Sequence, residues 1–321
     1  MREKAKILNL NIAEGKRIIA IADVHGELSL FKNLLDKVNF FDRDVLILVG
    51  DLYFKGSQPH ETLKFCMELS KQENVYVLRG NCDWGGDDYI SENERIWLEN
   101  LPHIIETQNY TFVHAGLENE NIHNQDAMKC MKTQNFMNVS QGFDKWVIVG
   151  HWPVSNYHTK IPNHNPLINE EKKIISIDGG NVIAPDGQLN AFIIENGKFS
   201  SCYVDKFILT KLDFQQAESG GTLNISYVDN DVEVLETNGE LRTIKHLSTG
   251  KILTVPTTAL YYSPDGKPLI SDMATDYHLP HQTNDDIGVV AEFDDRIFAK
   301  KNGICGWIKK EQFPQNGCEL K

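Results

Sequence analysis

The first two hundred residues alternate short apolar runs with amphipathic stretches. Unbroken runs are typical of strands buried on both faces of a sheet. They lie within Lys16–Gly26, Val45–Val49, Val75–Leu78, Tyr110–Val113 and Trp146–Val149, with closing strands at Lys173–Ile177, Ala191–Ile194 and Phe199–Val204. Apolar residues at helical spacing predict helices that pack on the sheet; they occur in Glu27–Phe40, Pro59–Gln72 and Asp87–Leu101. The pattern therefore predicts an α/β fold.

The pattern changes after Asp205, where helical spacing disappears and strand-like segments alternate with polar turns. This predicts a smaller all-β domain, a barrel or a sandwich. Its first strands are expected at Leu223–Ile225, Val232–Leu235 and Leu241–Ile244. We therefore expect one domain over residues 1–205 and an accessory domain over residues 206–321.

Each of the five apolar runs ends in residue types that bind metal ions. In chain order these residues are Asp23 with His25, Asp51, Asn81, His114 and His151. The carboxyl ends of strands are where open α/β sheets place their chemistry. One strand end of this kind could be a turn with a polar neighbour. Five successive strand ends that all carry such residues are not explained by turns alone. Carboxylate, amide and imidazole groups suit two divalent cations that share a carboxylate.

The motifs that carry these residues read DVHG, GDLYFKG, LRGNCDW, VHAGL and GHWP. In this order they resemble the calcineurin-like metallophosphoesterases, and in particular the PPP-type serine/threonine phosphatases. The resemblance implies a β-sandwich flanked by helices, with Asp51 bridging two metal ions. It places Asp23 and His25 at one ion, and Asn81, His114 and His151 at the other. It also implies direct attack on phosphorus by a water that both ions activate.

Three features depart from the phosphatase pattern. Lys55 stands where the phosphatases have Arg, which keeps a positive charge without the bidentate fork. The segment Leu117–Val149 contains no Arg to serve as a second phosphate clamp. Cys82 replaces the His that protonates the leaving group. Beside it, Arg79 is a candidate for holding the loop or the phosphate, and Asp83 is an alternative proton donor.

These departures leave several functions open. One is a metal-dependent phosphatase that acts on phosphoproteins, nucleotides or small phosphate esters. Another is a phosphodiesterase or a dinucleoside polyphosphate hydrolase, and a third is a metal-binding scaffold with little activity. The six retained ligand candidates favour an enzyme. Manganese is the expected metal, with iron, zinc or nickel as alternatives.

The composition limits the kinds of molecule to which the protein is expected to bind. The net charge of −13 over 321 residues disfavours binding to nucleic acid or to an anionic membrane. The six cysteines have no paired spacing and the N-terminus has no secretory pattern, so we expect a cytoplasmic protein. The last segment, which contains Gly306, Trp307 and Ile308, resembles bacterial SH3-like modules. That resemblance implies a role in binding a protein partner or in self-association.

Overall fold

The computed structural model describes residues 3–84 and 90–310, which form two compact units. The first unit holds the residues up to Val154, His164–Ile183 and Gly187–Asp205. The second unit holds Ser155–Asn163, Ala184–Asp186 and the residues from Lys206 onward. Within residues 3–84 and 90–310, no helix combines the length and the apolar character that a membrane crossing requires.

Two short loops, Ser155–Asn163 and Ala184–Asp186, group with the second unit. The predicted division at Asp205 places both loops in the first domain. In the first of these loops, the carbonyl oxygens of Thr159 and Pro162 accept backbone hydrogen bonds of 2.8 Å and 3.1 Å. The donors are Asn224 and Cys305. Partners so distant in the chain leave no trace in local hydrophobic spacing, so the pattern assigned both loops to the first domain.

Two mixed sheets and several helices make up the first unit. In chain order its elements are β1 (Ile7–Asn9), β2 (Ile18–Ile21), α1 (Leu28–Lys37), β3 (Val45–Leu48), α2 (Pro59–Leu69), β4 (Val75–Val77), α3 (Glu92–Asn100), β5 (Ile104–Glu106), β6 (Tyr110–Val113), α4 (Ala127–Lys132), α5 (Phe136–Val139), β7 (Trp146–Val149), β8 (Leu167–Asn169), β9 (Ile174–Ser176), β10 (Leu189–Glu195) and β11 (Lys198–Val204).

The strand order is β1-β5-β6-β7-β9-β8 in one sheet and β11-β10-β2-β3-β4 in the other. Strands β2, β3 and β4 run parallel, as do β6, β7 and β9. Parallel neighbours bring their carboxyl ends to one edge of a sheet, where α/β proteins place ligands. The predicted α/β sandwich is confirmed.

Alternate residues of the central strands enter two different cores. Ala20 of β2 packs with Phe112 and Ile148 of the other sheet, in the core between the sheets. Ile21 lies in a second core with Phe31 of α1. Burial on both faces explains why these strands are continuous apolar runs rather than alternating ones.

The helices end near their predicted limits because local signals mark them. Pro59 occupies the first turn of α2, where its missing N–H costs nothing. Ser91 caps α3 in a capping box with Glu94. The predicted start of that helix at Asp87 lies outside the described residues. Asn196 and Gly197 both have positive φ and form the tight turn that joins β10 to β11, as is typical of an Asn-Gly pair.

The second unit consists of small antiparallel sheets. Its strands are β12 (Leu209–Lys211), β13 (Val232–Asn238), β14 (Leu241–His246), β15 (Ile252–Pro256), β16 (Leu260–Tyr262), β17 (Pro268–Ile270), β18 (Asp286–Glu292), β19 (Arg296–Lys301) and β20 (Ile304–Lys309). They form sheets in the orders β12-β18-β19-β20, β13-β14-β15 and β16-β17.

The predicted strand at Leu223–Ile225 was wrong. Only Asn224 forms an isolated bridge there, with Thr275. The N–H of Leu223 instead donates to the side chain of Asp276 at 3.0 Å, which takes it out of any ladder. The strands predicted from Val232 and from Leu241 are confirmed. The resemblance to SH3-like modules stays a prediction.

Candidate metal centre

The loops that leave β2, β3 and β7 hold the predicted ligands in an uncommon backbone conformation. Asp23, His25, Asp51 and His151 have φ values of 57°, 49°, 54° and 65°. Non-glycine residues enter this left-handed region infrequently, and Asp and His do so more readily than most. Four such residues at strand ends indicate a functional site, because strained backbone persists only where surrounding structure enforces it.

Glycines next to these residues allow the loops to approach one another. A Cβ atom on Gly80 would lie 2.2 Å from the backbone N of Asp51. A Cβ atom on Gly150 would lie 2.3 Å from Oδ2 of Asp23. Both distances are too short for a real contact, so any larger residue would displace a predicted ligand.

Asp51 lies between two imidazoles. Its Oδ1 is 3.3 Å from Nε2 of His114, and its Oδ2 is 3.7 Å from Nε2 of His25. The same His25 nitrogen is 3.7 Å from Oδ1 of Asp23. A carboxylate whose two oxygens face different imidazoles has the geometry needed to bridge two cations.

The other predicted ligands adjoin this centre. Oδ1 of Asn81 is 3.1 Å from Nε2 of His114, and the rings of His114 and His151 are 5.1 Å apart. The backbone N–H of His151 donates to Oδ2 of Asp23 at 2.9 Å. The structure therefore gathers all six predicted ligands into one cluster.

Two groups of potential ligand atoms share Asp51. The atoms of Asp23, Asp51 and His114 lie within 4.8 Å of one another, and so do those of His25, Asp51 and Cys82. The second group brings in Cys82, which the sequence suggested only as a replacement for an acid.

Backbone carbonyls fix the tautomers of two histidines. Nδ1 of His114 is 2.8 Å from the carbonyl oxygen of Val49, and Nδ1 of His25 is 3.1 Å from that of Phe54. A carbonyl only accepts, so each Nδ1 carries the hydrogen and donates it. Each Nε2 is then directed toward Asp51, the orientation seen in metal sites whose histidines are held by outer partners.

The charges in the cluster fit cation binding. Burial lowers the pKa of His25 to about 4 and that of His151 to about 3, so both rings are neutral at pH 7. Burial opposes the charge of Asp51, but His114, His25 and nearby N–H groups outweigh it and lower its pKa to about 2. Burial, together with the charges of Asp178 and Asp51, raises the pKa of Asp23 well above its usual value. Buried carboxylates among neutral imidazoles need cations to compensate them.

Asp83 is placed behind the cluster rather than facing a substrate. Its Oδ2 accepts the N–H groups of Asp51 and Gly80, both at 2.8 Å, and its Oδ1 accepts that of Leu52 at 2.9 Å. The side chain is fully buried, and burial raises its pKa to about 7. Because its oxygens are engaged by the loop, this placement does not support the predicted role of proton donor.

Cys82 is half-buried at the edge of the cluster. Its N–H donates to Oδ1 of Asp51 at 2.8 Å, and its sulfur accepts from Nδ2 of Asn81 at 3.3 Å. Burial and the charge of Asp51 raise the pKa of the thiol above its ordinary range. The thiol is therefore a neighbour of the central carboxylate and not a core residue.

Lys55 is exposed and belongs to the same loop as Asp51. Burial is the main cause of the low pKa values of His25 and His151, and the charge of Lys55 lowers them further. Lys55 therefore acts on the cluster electrostatically. Next to it, a recess of about 200 Å³ is lined mainly by Tyr53, Phe54, Pro59, His60 and Ile90.

Arg79 supports the neighbouring loop. Its Nε donates to the carbonyl oxygen of Asp83 at 3.4 Å, and its guanidinium lies 5.9 Å from the ring centroid of Trp84. Lys132 of α4 lies 5.8 Å from the same ring. The sequence predicted no second cation for this region, because the phosphatase pattern has an Arg there and Lys132 lies 48 positions beyond Trp84.

Two further residues of this region were not predicted as site residues. Asp178 is buried, with Oδ1 accepting from the N–H of Gly180 at 2.8 Å and Oδ2 without a hydrogen-bond partner. Nδ2 of Asn181 donates to the carbonyl oxygen of Val24 at 2.9 Å, between the two ligands of the first motif. In the sequence, Asp178 directly follows the closing strand Lys173–Ile177, so a carboxylate at a strand end was a usable signal.

The sandwich and the ligand cluster at its strand ends define a metallophosphoesterase. Residues 16–180 match the family model described as Calcineurin-like phosphoesterase, and the chain belongs to this family. Divalent metal ions are implied by this family, and the candidate ligand groups described above are consistent with them.

The chain is similar to several characterised proteins. It is 39% identical over 67 residues to serine/threonine-protein phosphatase PP1-delta of Caenorhabditis elegans, covering 20% of this chain and 22% of that protein. It is 31% identical over 121 residues to the symmetrical bis(5'-nucleosyl)-tetraphosphatase of Chromobacterium violaceum, covering 31% and 43%. The chain thus spans less than half the length of these two relatives. A Saccharomyces cerevisiae serine/threonine phosphatase structure covers 65% of this chain and 86% of its own, with 13% identity and a TM-score of 0.44.

Proposed function

We propose that the protein hydrolyses phosphate esters with two divalent metal ions. The proposed ligands are Asp23, His25, Asp51, Asn81, His114 and His151. The observation that carries the proposal is the position of Asp51, with one oxygen 3.3 Å from His114 and the other 3.7 Å from His25. Two divalent ions held by these residues would neutralise phosphate oxygens and make water a better nucleophile.

The residues of the chain prepare the site for this chemistry. The hydrogen bonds from His114 and His25 to backbone carbonyls keep both Nε2 atoms aimed inward. Lys55 would pair with a phosphate oxygen as a point charge, since it lacks the fork that makes Arg bidentate. Asp83 would hold Asp51 in place without touching substrate. Cys82 stands where the phosphatases have their imidazole acid, so a leaving group that departs unaided would be preferred.

The lining of the recess beside Lys55 supports a substrate that carries a planar ring. Tyr53, Phe54 and Ile90 contribute apolar surface, and Phe54 is 43% exposed. Aromatic side chains bind planar rings by stacking or edge contacts. We therefore place nucleotide substrates first, in particular dinucleoside polyphosphates, whose leaving group is a nucleotide phosphate. One relative of this chain is named a symmetrical bis(5'-nucleosyl)-tetraphosphatase, a name that refers to this class of substrate.

The proposal also covers the identity of the metal, the role of the residues from 206 onward and the location of the protein. Manganese is the proposed metal, with iron, zinc or nickel as alternatives. The residues from 206 onward are proposed to form an accessory domain that binds a protein partner or a second copy of the chain. A cytoplasmic location agrees with six cysteines that have no paired spacing.

The proposal is tested by measuring hydrolysis after reconstitution with each metal. The panel would contain an aryl phosphomonoester, an aryl phosphodiester, a dinucleoside tetraphosphate and a phosphoserine peptide. We expect the highest kcat/KM for the dinucleoside tetraphosphate and the lowest for the peptide. Asp51→Ala, loaded in the same way, supplies the background rate. If wild type does not exceed that background on any substrate, the protein is the metal-binding scaffold instead.

A further inference from the structure

Cys82 lies among groups that bind metal ions. Its sulfur, a ring nitrogen of His25 and a carboxylate oxygen of Asp51 lie within 4.8 Å of one another. Ligand atoms around one tetrahedral zinc ion are about 3.3–3.8 Å apart, given bond lengths of about 2.0–2.3 Å. Small side-chain rotations therefore suffice to bring all three to one cation.

A second observation at this position points to a ligand. His25 is 1% exposed, and its Nδ1 hydrogen is committed to the carbonyl oxygen of Phe54 at 3.1 Å. Its Nε2 faces the carboxylates of Asp23 and Asp51, each 3.7 Å away and beyond hydrogen-bonding distance. Because Nδ1 carries the hydrogen, this Nε2 presents a lone pair to two carboxylates, an arrangement that a cation between them would stabilise.

The backbone N–H of Cys82 and the side chain of Asn81 orient the sulfur of Cys82. The N–H of Cys82 donates to Oδ1 of Asp51 at 2.8 Å, which fixes the residue beside the central carboxylate. The Asn81 amide donates its Nδ2 hydrogen to the sulfur at 3.3 Å, while its oxygen faces His114. An amide that donates to sulfur is the kind of outer contact that supports a thiolate ligand.

We infer that Cys82 supplies a thiolate ligand to the metal ion held by His25 and Asp51. On binding, the S–H bond breaks, the proton passes to solvent, and the sulfur electron pair forms the bond to the cation. Thiolate favours zinc, cobalt or iron, whereas manganese and magnesium favour oxygen ligands. One of the two metal positions would then select a softer ion, contrary to the expectation of manganese at both.

The inference rests on the metal centre of the proposed function and has a consequence for it. A thiolate bonded to a cation carries no proton, so it cannot protonate the leaving group. The preference for leaving groups that depart unaided would follow from ligation by Cys82 and not merely from the absence of a histidine.

The test is absorption spectroscopy of the full-length protein titrated with Co²⁺. We expect two equivalents to bind and a sulfur-to-cobalt charge-transfer band to appear in the near ultraviolet. The band should be absent from Cys82→Ser and retained in Cys202→Ser, a control at a half-buried cysteine of β11. We also expect the ratio of zinc to manganese affinity to fall by about tenfold or more in Cys82→Ser, the low end of the loss seen even for outer-shell changes.

The outcomes separate the inference from the proposed function. Two bound cobalt ions without a band that depends on Cys82 would overturn the thiolate ligand and leave the metal centre intact. Failure of wild type to bind cobalt, zinc or manganese would overturn both. If Cys82→Ser does not fold, the test is the rate at which iodoacetamide alkylates Cys82 in wild type with and without zinc. Protection of Cys82 by zinc supports the inference, and equal labelling with and without zinc refutes it.

Discussion

Oδ2 of Asp83 accepts the backbone N–H of Asp51 at 2.8 Å, so a buried carboxylate behind the cluster fixes the backbone of its central residue. Asp51 has a φ of 54°, a conformation that such a hydrogen bond helps to maintain. The same side chain accepts the N–H groups of Leu52 and Gly80, and thereby joins the loops after β3 and β4. We therefore propose that Asp83 is a positioning residue.

Replacing Asp83 by Asn tests this role. An amide offers one acceptor oxygen for three N–H groups and turns its own N–H₂ toward the others. We expect the free energy of unfolding of the metal-free protein to fall by about 2–4 kcal/mol, since each buried N–H left without an acceptor costs about 1–3 kcal/mol. Metal affinity should fall with it. Urea unfolding and metal titration measure both, with the exposed Asp36→Asn as control. Unchanged stability and metal affinity with lost turnover would restore Asp83 as a proton donor.

Asp51→Asn should reduce the metal content of the protein. The amide has one oxygen where the carboxylate presents one to each side, so it cannot serve both cations. We expect the bound metal to fall from about two equivalents to about one or fewer, and hydrolysis to be nearly abolished. Elemental analysis after dialysis gives the stoichiometry. Two tightly held ions with full turnover in this variant would be incompatible with a bridging Asp51.

Lys55→Ala should weaken substrate binding without removing metal. A charged hydrogen bond to phosphate contributes about 1.5–3 kcal/mol, which corresponds to a decrease in kcat/KM of about tenfold to a hundredfold. Lys71→Ala, at an exposed lysine paired with Glu68 on the surface, is the matched control. Steady-state kinetics on the best substrate of the panel provide the measurement. Equal kcat/KM for the two variants would remove Lys55 from the phosphate site.

The sequence predicted that the candidate ligands cluster because each of them can be recognised from its immediate neighbours in the chain. Each ligand directly follows an apolar run, and parallel strands bring such positions together. The roles of Asp83 and Asp178 were not predictable in this way. The donors to Asp83 include Asp51 and Leu52, more than thirty positions earlier, and only the folded chain shows that its oxygens are occupied. The two loops that group with the second unit were missed for the same reason, since hydrogen-bond partners of both lie far along the chain.

Burial of His103, a histidine away from the cluster, is expected to make the stability of the protein depend on pH. His103 is 1% exposed, and its Nδ1 accepts the backbone N–H of Lys6 at 3.0 Å. Burial, assisted by the charges of Arg79 and Lys6, lowers its pKa to about 4. The unfolded chain protonates this histidine near pH 6.5. Between these values the unfolded state binds a proton that the folded state does not, so stability falls as the pH falls from about 6.5 to about 4.

His103→Asn should remove this dependence, because its amide oxygen still accepts from Lys6 but does not titrate. We expect wild type to lose about 1–2 kcal/mol more than the variant between pH 7 and pH 5. The measurement is urea unfolding of the metal-free proteins at both pH values. His123→Asn, at an exposed position, should behave like wild type. The same loss between pH 7 and pH 5 in His103→Asn and wild type would mean that His103 is not the group responsible, since the other buried acids and histidines are present in both proteins.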